Sequence, residues 1–142
     1  MSALVRLSFS LEAPLARQLE ELTAAGGYEN RSEFLRDLIR EKLVRQDWES
    51  DAVVVGTITM VYDHHQRLLT EKLTDLQHDH HDLILASTHV HLDHHLCAEV
   101  IIARGKASAL EQMTDALRRQ KGIFHASLTR SATHAFAHQH RH

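Results

Sequence analysis

Residues Val5 to Leu11, VRLSFSL, read as an amphipathic strand that has no partner nearby in sequence. Val5, Leu7, Phe9 and Leu11 alternate with Arg6, Ser8 and Ser10, the period of two that marks a half-buried strand. Two helices follow. In EAPLARQLEELTAAGGY, Pro14 stands at a first helical position, Leu15, Leu19 and Leu22 recur at helical spacing, and Gly26 and Gly27 supply the stop. In NRSEFLRDLIREKLV, Asn30 or Ser32 can cap the start, and Phe34, Leu35, Leu38, Ile39 and Leu43 make an apolar face. A lone strand exposes backbone donors and acceptors that must be satisfied somewhere. The economical solution is the same strand of a second copy, giving a two-stranded antiparallel ribbon whose apolar face is covered by the helices of both chains. Arg6, Ser8 and Ser10 then project outward. A ribbon of this kind fits the major groove, where Arg can donate twice to guanine and Ser can meet any base edge. The second helix start, Asn30, Arg31 and Ser32, offers backbone N–H groups to a phosphate. The alternation alone is more often that of a plain strand with a wet side. Charge does not decide the matter: up to Asp51 there are seven Lys/Arg and ten Asp/Glu, a net of −3.

At 142 residues the chain has room for one ordinary domain or two small ones, and 43% apolar with 25% charged residues is a soluble, globular balance. The single Cys97 excludes an internal disulfide and suits a reducing cytoplasm. No signal peptide is expected, and no apolar run approaches the roughly 20 residues that span a bilayer. Histidine divides the chain. None of the 14 precedes His64, and nine fall between His64 and His95. The break lies at RQDWESD, Arg45 to Asp51, so the expected units are 1–48, 52–132 and a His-rich tail, 133–142.

Beyond the break, Val53–Tyr62 reads as a strand, Gln66–Gln77 as a helix, Asp82–Leu92 and His95–Ala103 as strands joined by a short turn, Lys106–Gln120 as a helix and Ile123–Thr129 as a strand. The order β-α-β-β-α-β is the split βαβ, ferredoxin-like arrangement, and the whole chain is of the α+β class. Two helices would cover one face of the sheet. The other face needs company, which points to oligomerisation through the sheet.

The sharpest constellation is THVHLDHHLC, Thr88 to Cys97. His89 and His91 leave the same strand face, and a hairpin brings Cys97 alongside them. Glu99 shares the face of Cys97 and can hold a ligand histidine in orientation. A fourth ligand could come from His78, His80 or His81 in QHDHHD. His-x-His alone is more often an exposed polar pair; the neighbouring thiol and histidines favour a metal. Imidazole and thiolate donors suit tetrahedral zinc, and a planar arrangement of them suits Ni(II) or Cu(II). A buffering or storage protein for nickel or copper is the competing function. An enzyme is not expected, because four protein ligands would close the open position that a hydrolytic zinc needs.

Taken together, VRLSFSL, GGYENRSEFLRDLIR, QHDHHDLILASTHVHLDHHLC and the closing helix and strand resemble the nickel-responsive transcription regulator family, up to about Thr129. The resemblance implies a ribbon-helix-helix head on an ACT-like, ferredoxin-like core. It implies that His89, His91 and Cys97 are three planar ligands of Ni(II), one ion per subunit, with His78 donated by another subunit. It further implies a homotetramer, a dimer of dimers, that binds double-stranded operator DNA. Arg6, Ser8 and Ser10 fall at base-reading positions, Arg67 at one that touches phosphate, and Glu33 and Asp37 at carboxylates that bind a further cation. Repression of nickel uptake in the cytoplasm is the implied output, with neither membrane nor small-molecule substrate. Asp79, Gln66 and the tail depart from the family pattern.

Overall fold

The computed structural model describes residues 3–133. The elements run α1 (Ala13–Ala25), α2 (Arg31–Glu49), β1 (Val53–Asp63), α3 (Leu69–Asp79), β2 (Ile84–His91), β3 (Leu96–Lys106), α4 (Ala107–Arg118) and β4 (Ile123–Ser131). The class is α+β, as the sequence predicts. Of the expected tail, residues 134–142 lie outside the described residues.

Residues 3–12 are neither helix nor strand in the single chain. Val5, Leu7 and Phe9 are 77%, 84% and 60% exposed, so the stripe that should be buried faces solvent. An extended segment counts as a strand only when its backbone is paired, and among the described residues nothing pairs with it. α1 begins with Pro14 in its first turn and stops at Gly27, whose φ of +74° suits a residue without a side chain. Asn30 caps α2: its side chain accepts the backbone N–H of Glu33 at 3.0 Å.

The four strands form one antiparallel sheet in the order β2-β3-β1-β4. β1 alternates strictly, burying Val54, Ile58, Met60 and Tyr62. β3 does the same with Cys97, Glu99, Ile101 and Ala103. These side chains meet Leu69 and Leu73 of α3 and Leu110, Met113 and Leu117 of α4. Each large apolar side chain buried there contributes about 1.5–3 kcal/mol. Among the described residues no helix covers the other face, and Val53, Val90 and Ile102 stay 41–51% exposed.

α3 starts at Leu69, three residues later than the apolar spacing suggests. Leu68 is the cause: its φ of +63° is left-handed and cannot lie inside a helix. β3 runs from Leu96 to Lys106, beyond the expected Ala103, because β1 pairs with it along its whole length.

α2 does not end at the polar break. Its last turn carries Trp48, 5% exposed, into the core cluster, where Nε1 donates to the Ser131 carbonyl at 2.9 Å. The Arg130 guanidinium lies 5.3 Å from the Trp48 ring centre. Gly56 allows this approach, since a Cβ there would meet Leu128 at 2.8 Å and Trp48 at 3.3 Å. Asp51 then caps α4 by accepting the Ser108 N–H at 2.8 Å, and Ala52 accepts from Ala107 at 3.1 Å. Head and core are joined by a pinned connection.

Candidate metal centre

The β2–β3 hairpin sets the site. His91 stands directly across from Cys97, and His89 from Glu99. Side chains opposed in this way on one face are neighbours. The Cys97 sulfur lies 3.2 Å from His91 Nδ1. Asp93 holds the turn between the strands: its Oδ1 accepts the backbone N–H groups of His95 at 2.7 Å and Leu96 at 2.8 Å. Those two bonds push its pKa below the ordinary carboxylate value.

A third donor comes from outside the hairpin. His64 follows β1, and its backbone N–H donates to the His95 carbonyl at 3.0 Å. Ligand atoms of His64, His91 and Cys97 all lie within 4.8 Å of one another, with Cys97 buried, His64 half-buried and His91 exposed. His64 stands outside the hairpin motif to which the sequence pattern points. The one sequence signal for it is the HH pair, His64 and His65, directly after β1.

His89 lies two residues before His91 on the same strand face. Its ring lies nearly parallel to that of Tyr62, centres 6.3 Å apart, and 4.9 Å from the His91 ring. Beside it, Tyr62, Thr70, Leu73, Thr74, Gln77, His89 and Glu99 line a cavity of about 200 Å³. Glu99, 7% exposed, accepts from Gln77 Nε2 at 3.0 Å and from the Tyr62 hydroxyl at 3.4 Å. It therefore ties α3 to the strand that bears the thiol.

His78 lies in the last turn of α3, exposed, with its ring stacked on His81 at 5.9 Å and its carbonyl accepting from His81 Nδ1 at 3.0 Å. Within one chain it does not join the His91–Cys97 group.

Burial is the main influence that raises the pKa of Cys97, and the negative charges of Glu99, Asp63 and Asp93 add to it. The free thiol thus keeps its proton at neutral pH. Burial, then Glu99 and Cys97, push Tyr62 up to about 12. A bound divalent cation would reverse this balance, because its positive charge would displace the thiol proton. A buried sulfur with imidazoles around it and a carboxylate behind is a donor set for a borderline transition-metal ion.

In the head, Arg6, Ser8 and Ser10 are exposed on the unpaired segment. Arg31 pairs with Glu20 at 3.7 Å, and Ser32 is exposed at the start of α2. Of the two expected cation carboxylates, Asp37 accepts the Tyr28 hydroxyl at 2.7 Å and pairs with Arg40 at 3.5 Å; Glu33 is half-buried one turn earlier. Arg67 is exposed in the loop before α3. Among the described residues, no helix is long and apolar enough to cross a membrane.

Residues 55–131 match the NikR C-terminal nickel-binding domain, and residues 5–46 match the ribbon-helix-helix protein family of CopG type. Over 136 residues the chain is 48% identical to a nickel-responsive regulator from Solibacter usitatus, covering 95% of this chain and 98% of that one. It is 46% identical over 132 residues to one from Chlorobaculum tepidum, covering 93% and 98%, and 43% identical over 129 residues to one from Syntrophus aciditrophicus, covering 91% and 94%. An uncharacterised protein from Thermotoga maritima shares the fold of 55% of this chain and 96% of its own, with a TM-score of 0.50 and 10% identity.

Proposed function

The chain belongs to the nickel-responsive regulator family, transcription regulators and not enzymes, and on that premise we propose that it represses nickel uptake genes by binding operator DNA when Ni(II) fills a site shared between subunits. The ligands are His89, His91 and Cys97 of one subunit and His78 of a neighbour, one ion per subunit of a homotetramer in the cytoplasm. The supporting observation is the thiol of Cys97 lying 3.2 Å from His91 Nδ1, with His89 on the same strand face beside the Glu99 cavity. The exposed position of His78 suits donation to a second chain.

Nickel supplies a positive centre that holds thiolate and imidazoles together across the interface. The protein supplies the rest. His78 and Gln77 are adjacent on α3, so engaging His78 across the interface and Glu99 through Gln77 fixes that helix from both sides. The loop carrying Arg67 leads into α3, and ordering α3 presents Arg67 to phosphate. The heads pair through residues 5–11, with Arg6, Ser8 and Ser10 reading bases and Asn30, Arg31 and Ser32 at phosphate. Glu33 and Asp37 hold a further cation between head and core, after Arg40 is displaced from Asp37. The working division is 1–48 for the head, 52–132 for the core and 133–142 for the tail. Linkage requires DNA to tighten nickel binding by the same factor, with a coupling of order 1–3 kcal/mol.

The test is a DNA-binding titration on the promoter regions of candidate nickel uptake genes with nickel, copper, cobalt and zinc in turn. Nickel should drive binding, and His89→Ala or Cys97→Ala should abolish the response while the fold survives. Nickel affinity indifferent to DNA would instead support a buffering protein. Nickel-induced DNA binding that survives both substitutions would sink the sensor site.

A further inference from the structure

β4 is an outer strand of the sheet, and α4 runs beside its open edge. Between them lies a cleft of about 400 Å³, well away from the metal centre. We propose that this cleft binds a small amino dicarboxylate of the L-glutamate type, its ammonium between Glu111 and Asp115 and its two carboxylates at Arg118 and Arg130. The proposal goes beyond the reading under Proposed function and does not depend on it, since none of these residues belongs to the nickel or DNA contacts named there.

Two guanidiniums bridge the cleft and close its ends. Arg118, in the last turn of α4, donates from Nε to the Ala126 carbonyl of β4 at 3.1 Å and from Nη1 to Asp115 at 2.8 Å. Arg130, on β4, donates from Nη2 to Glu111 of α4 at 3.2 Å. Glu111 and Asp115 stand one turn apart on α4, so the charges along the cleft run plus, minus, minus, plus. Like charges at that spacing repel, and a cation set between them relieves the repulsion. The complement is a molecule with an ammonium in the middle and a carboxylate toward each end. A guanidinium carries more donors than these bonds use, so each can take a second carboxylate. β4 adds backbone groups. The Ala126 carbonyl points off the sheet to Arg118, and outward groups recur at every second residue of an antiparallel edge strand, so the Leu128 N–H and carbonyl face the cleft as well. The volume is that of a small-molecule site, and the two crossbars leave no passage for an extended chain along the edge.

The cleft adjoins the junction between head and core. Arg130 also lies over the Trp48 ring, 5.3 Å from its centre, and the indole donates to the carbonyl of the next residue, Ser131, at 2.9 Å. A carboxylate that engages Arg130 draws the guanidinium off the ring and into the cleft. Occupancy therefore acts on one of the contacts that pin the last turn of α2 to the core, and gives the chain a second input besides the metal.

The test titrates L-glutamate into the full, metal-free chain and follows the emission of Trp48, the only tryptophan, with isothermal titration calorimetry alongside. Saturable binding with a Kd below about 1 mM and a change in emission are expected. Glutarate, which lacks the ammonium, and L-glutamine, which lacks the second carboxylate, should each bind at least about tenfold more weakly. Arg118→Gln and Arg130→Gln should each lose at least about tenfold in glutamate affinity, and Arg130→Gln should also lose the emission change. Both side chains are half exposed, so both variants should fold, which circular dichroism checks. Should either fail to fold, the three compounds compared on the parent chain still decide. No saturable signal below about 10 mM overturns the proposal, as do equal affinities for all three compounds or folded variants that bind glutamate as the parent does. Nickel affinity, by chelator competition, should be the same in both variants as in the parent; its loss together with glutamate would mark a general disturbance of the fold and overturn the assignment of these side chains.

Discussion

Trp48→Phe isolates the connection between head and core. The indole is 5% exposed, and three interactions change when its second ring goes. The 2.9 Å bond from Nε1 to Ser131 is lost, a net cost of about 1 kcal/mol. A void of roughly 40 Å³ opens between α2 and β1 at Gly56, which at about 24 cal/mol per Å³ costs another ~1 kcal/mol. The Arg130 stack survives on the smaller ring in weakened form, a loss of at most about 0.5 kcal/mol, since Arg130 is also paired with exposed Glu111. The total is about 2–2.5 kcal/mol, or a fall in Tm of about 6–10 °C for a chain of this size. Far-UV circular dichroism is the assay, because the substitution removes the only tryptophan. Hydrogen exchange should localise the loss to the last turn of α2 and the end of β4. Arg130→Ala, as a control, should cost less than about 1 kcal/mol. A Trp48→Phe protein melting within about 2 °C of the parent, with the α2 end still protected, would refute the claim that this junction is held by packing.

Asp93→Ala removes both bonds that shape the hairpin turn; nickel affinity should fall by about tenfold, measured by chelator competition, while Tm falls by only a few degrees. Nickel must expel the proton of Cys97, whose pKa is raised, so apparent nickel affinity should climb about tenfold per pH unit between roughly pH 6.5 and 8.5; a flat profile in buffered titrations would exclude thiolate ligation. For the metal-free protein the sign is opposite. The folded thiol and Tyr62 hold their protons more tightly than the unfolded chain does, so stability should decline as pH rises past the unfolded values, from about 8.5 for the thiol and from about 10 towards the folded value of about 12 for Tyr62. Leu68→Asn places a residue that tolerates φ of +63° at the exposed start of α3, and should raise Tm by about 2–4 °C through roughly 1 kcal/mol of relieved strain.

The shared face of His89 and His91 and the place of Cys97 across from His91 are legible because they are set locally. Alternation along β2 assigns the two imidazoles to one face, and a four-residue turn brings the thiol across from His91. The succession of elements along the core follows from apolar runs for the same reason. His64 was not legible, because its place depends on β1 lying beside β3, a pairing of Asp63 with Leu96 that no local pattern reveals. The start of α3 was misjudged because a leucine in helical phase gives no warning that its backbone is left-handed. The capacity of Trp48 to enter the core was hidden in a segment whose neighbours are polar. The partnerless state of residues 5–11 was foreseen from alternation without a second strand, and the exposed Leu7 and Phe9 accord with it.

Hairpin turns are ordinarily where lineages gain and lose residues at little cost. The turn from Leu92 to His95 cannot be such a place, because strand side chains change sides with every single-residue slip. Because β1 holds β3 along its whole length, one added amino acid would slip β2 instead and send His89 and His91 to the bare side of the sheet, and the chain would still fold, since β2 is mostly exposed. Length changes here should therefore be absent, or occur in pairs, among chains that still sense metal, and a library of turn insertions should split by parity in metal retention while its members share nearly the same thermal stability.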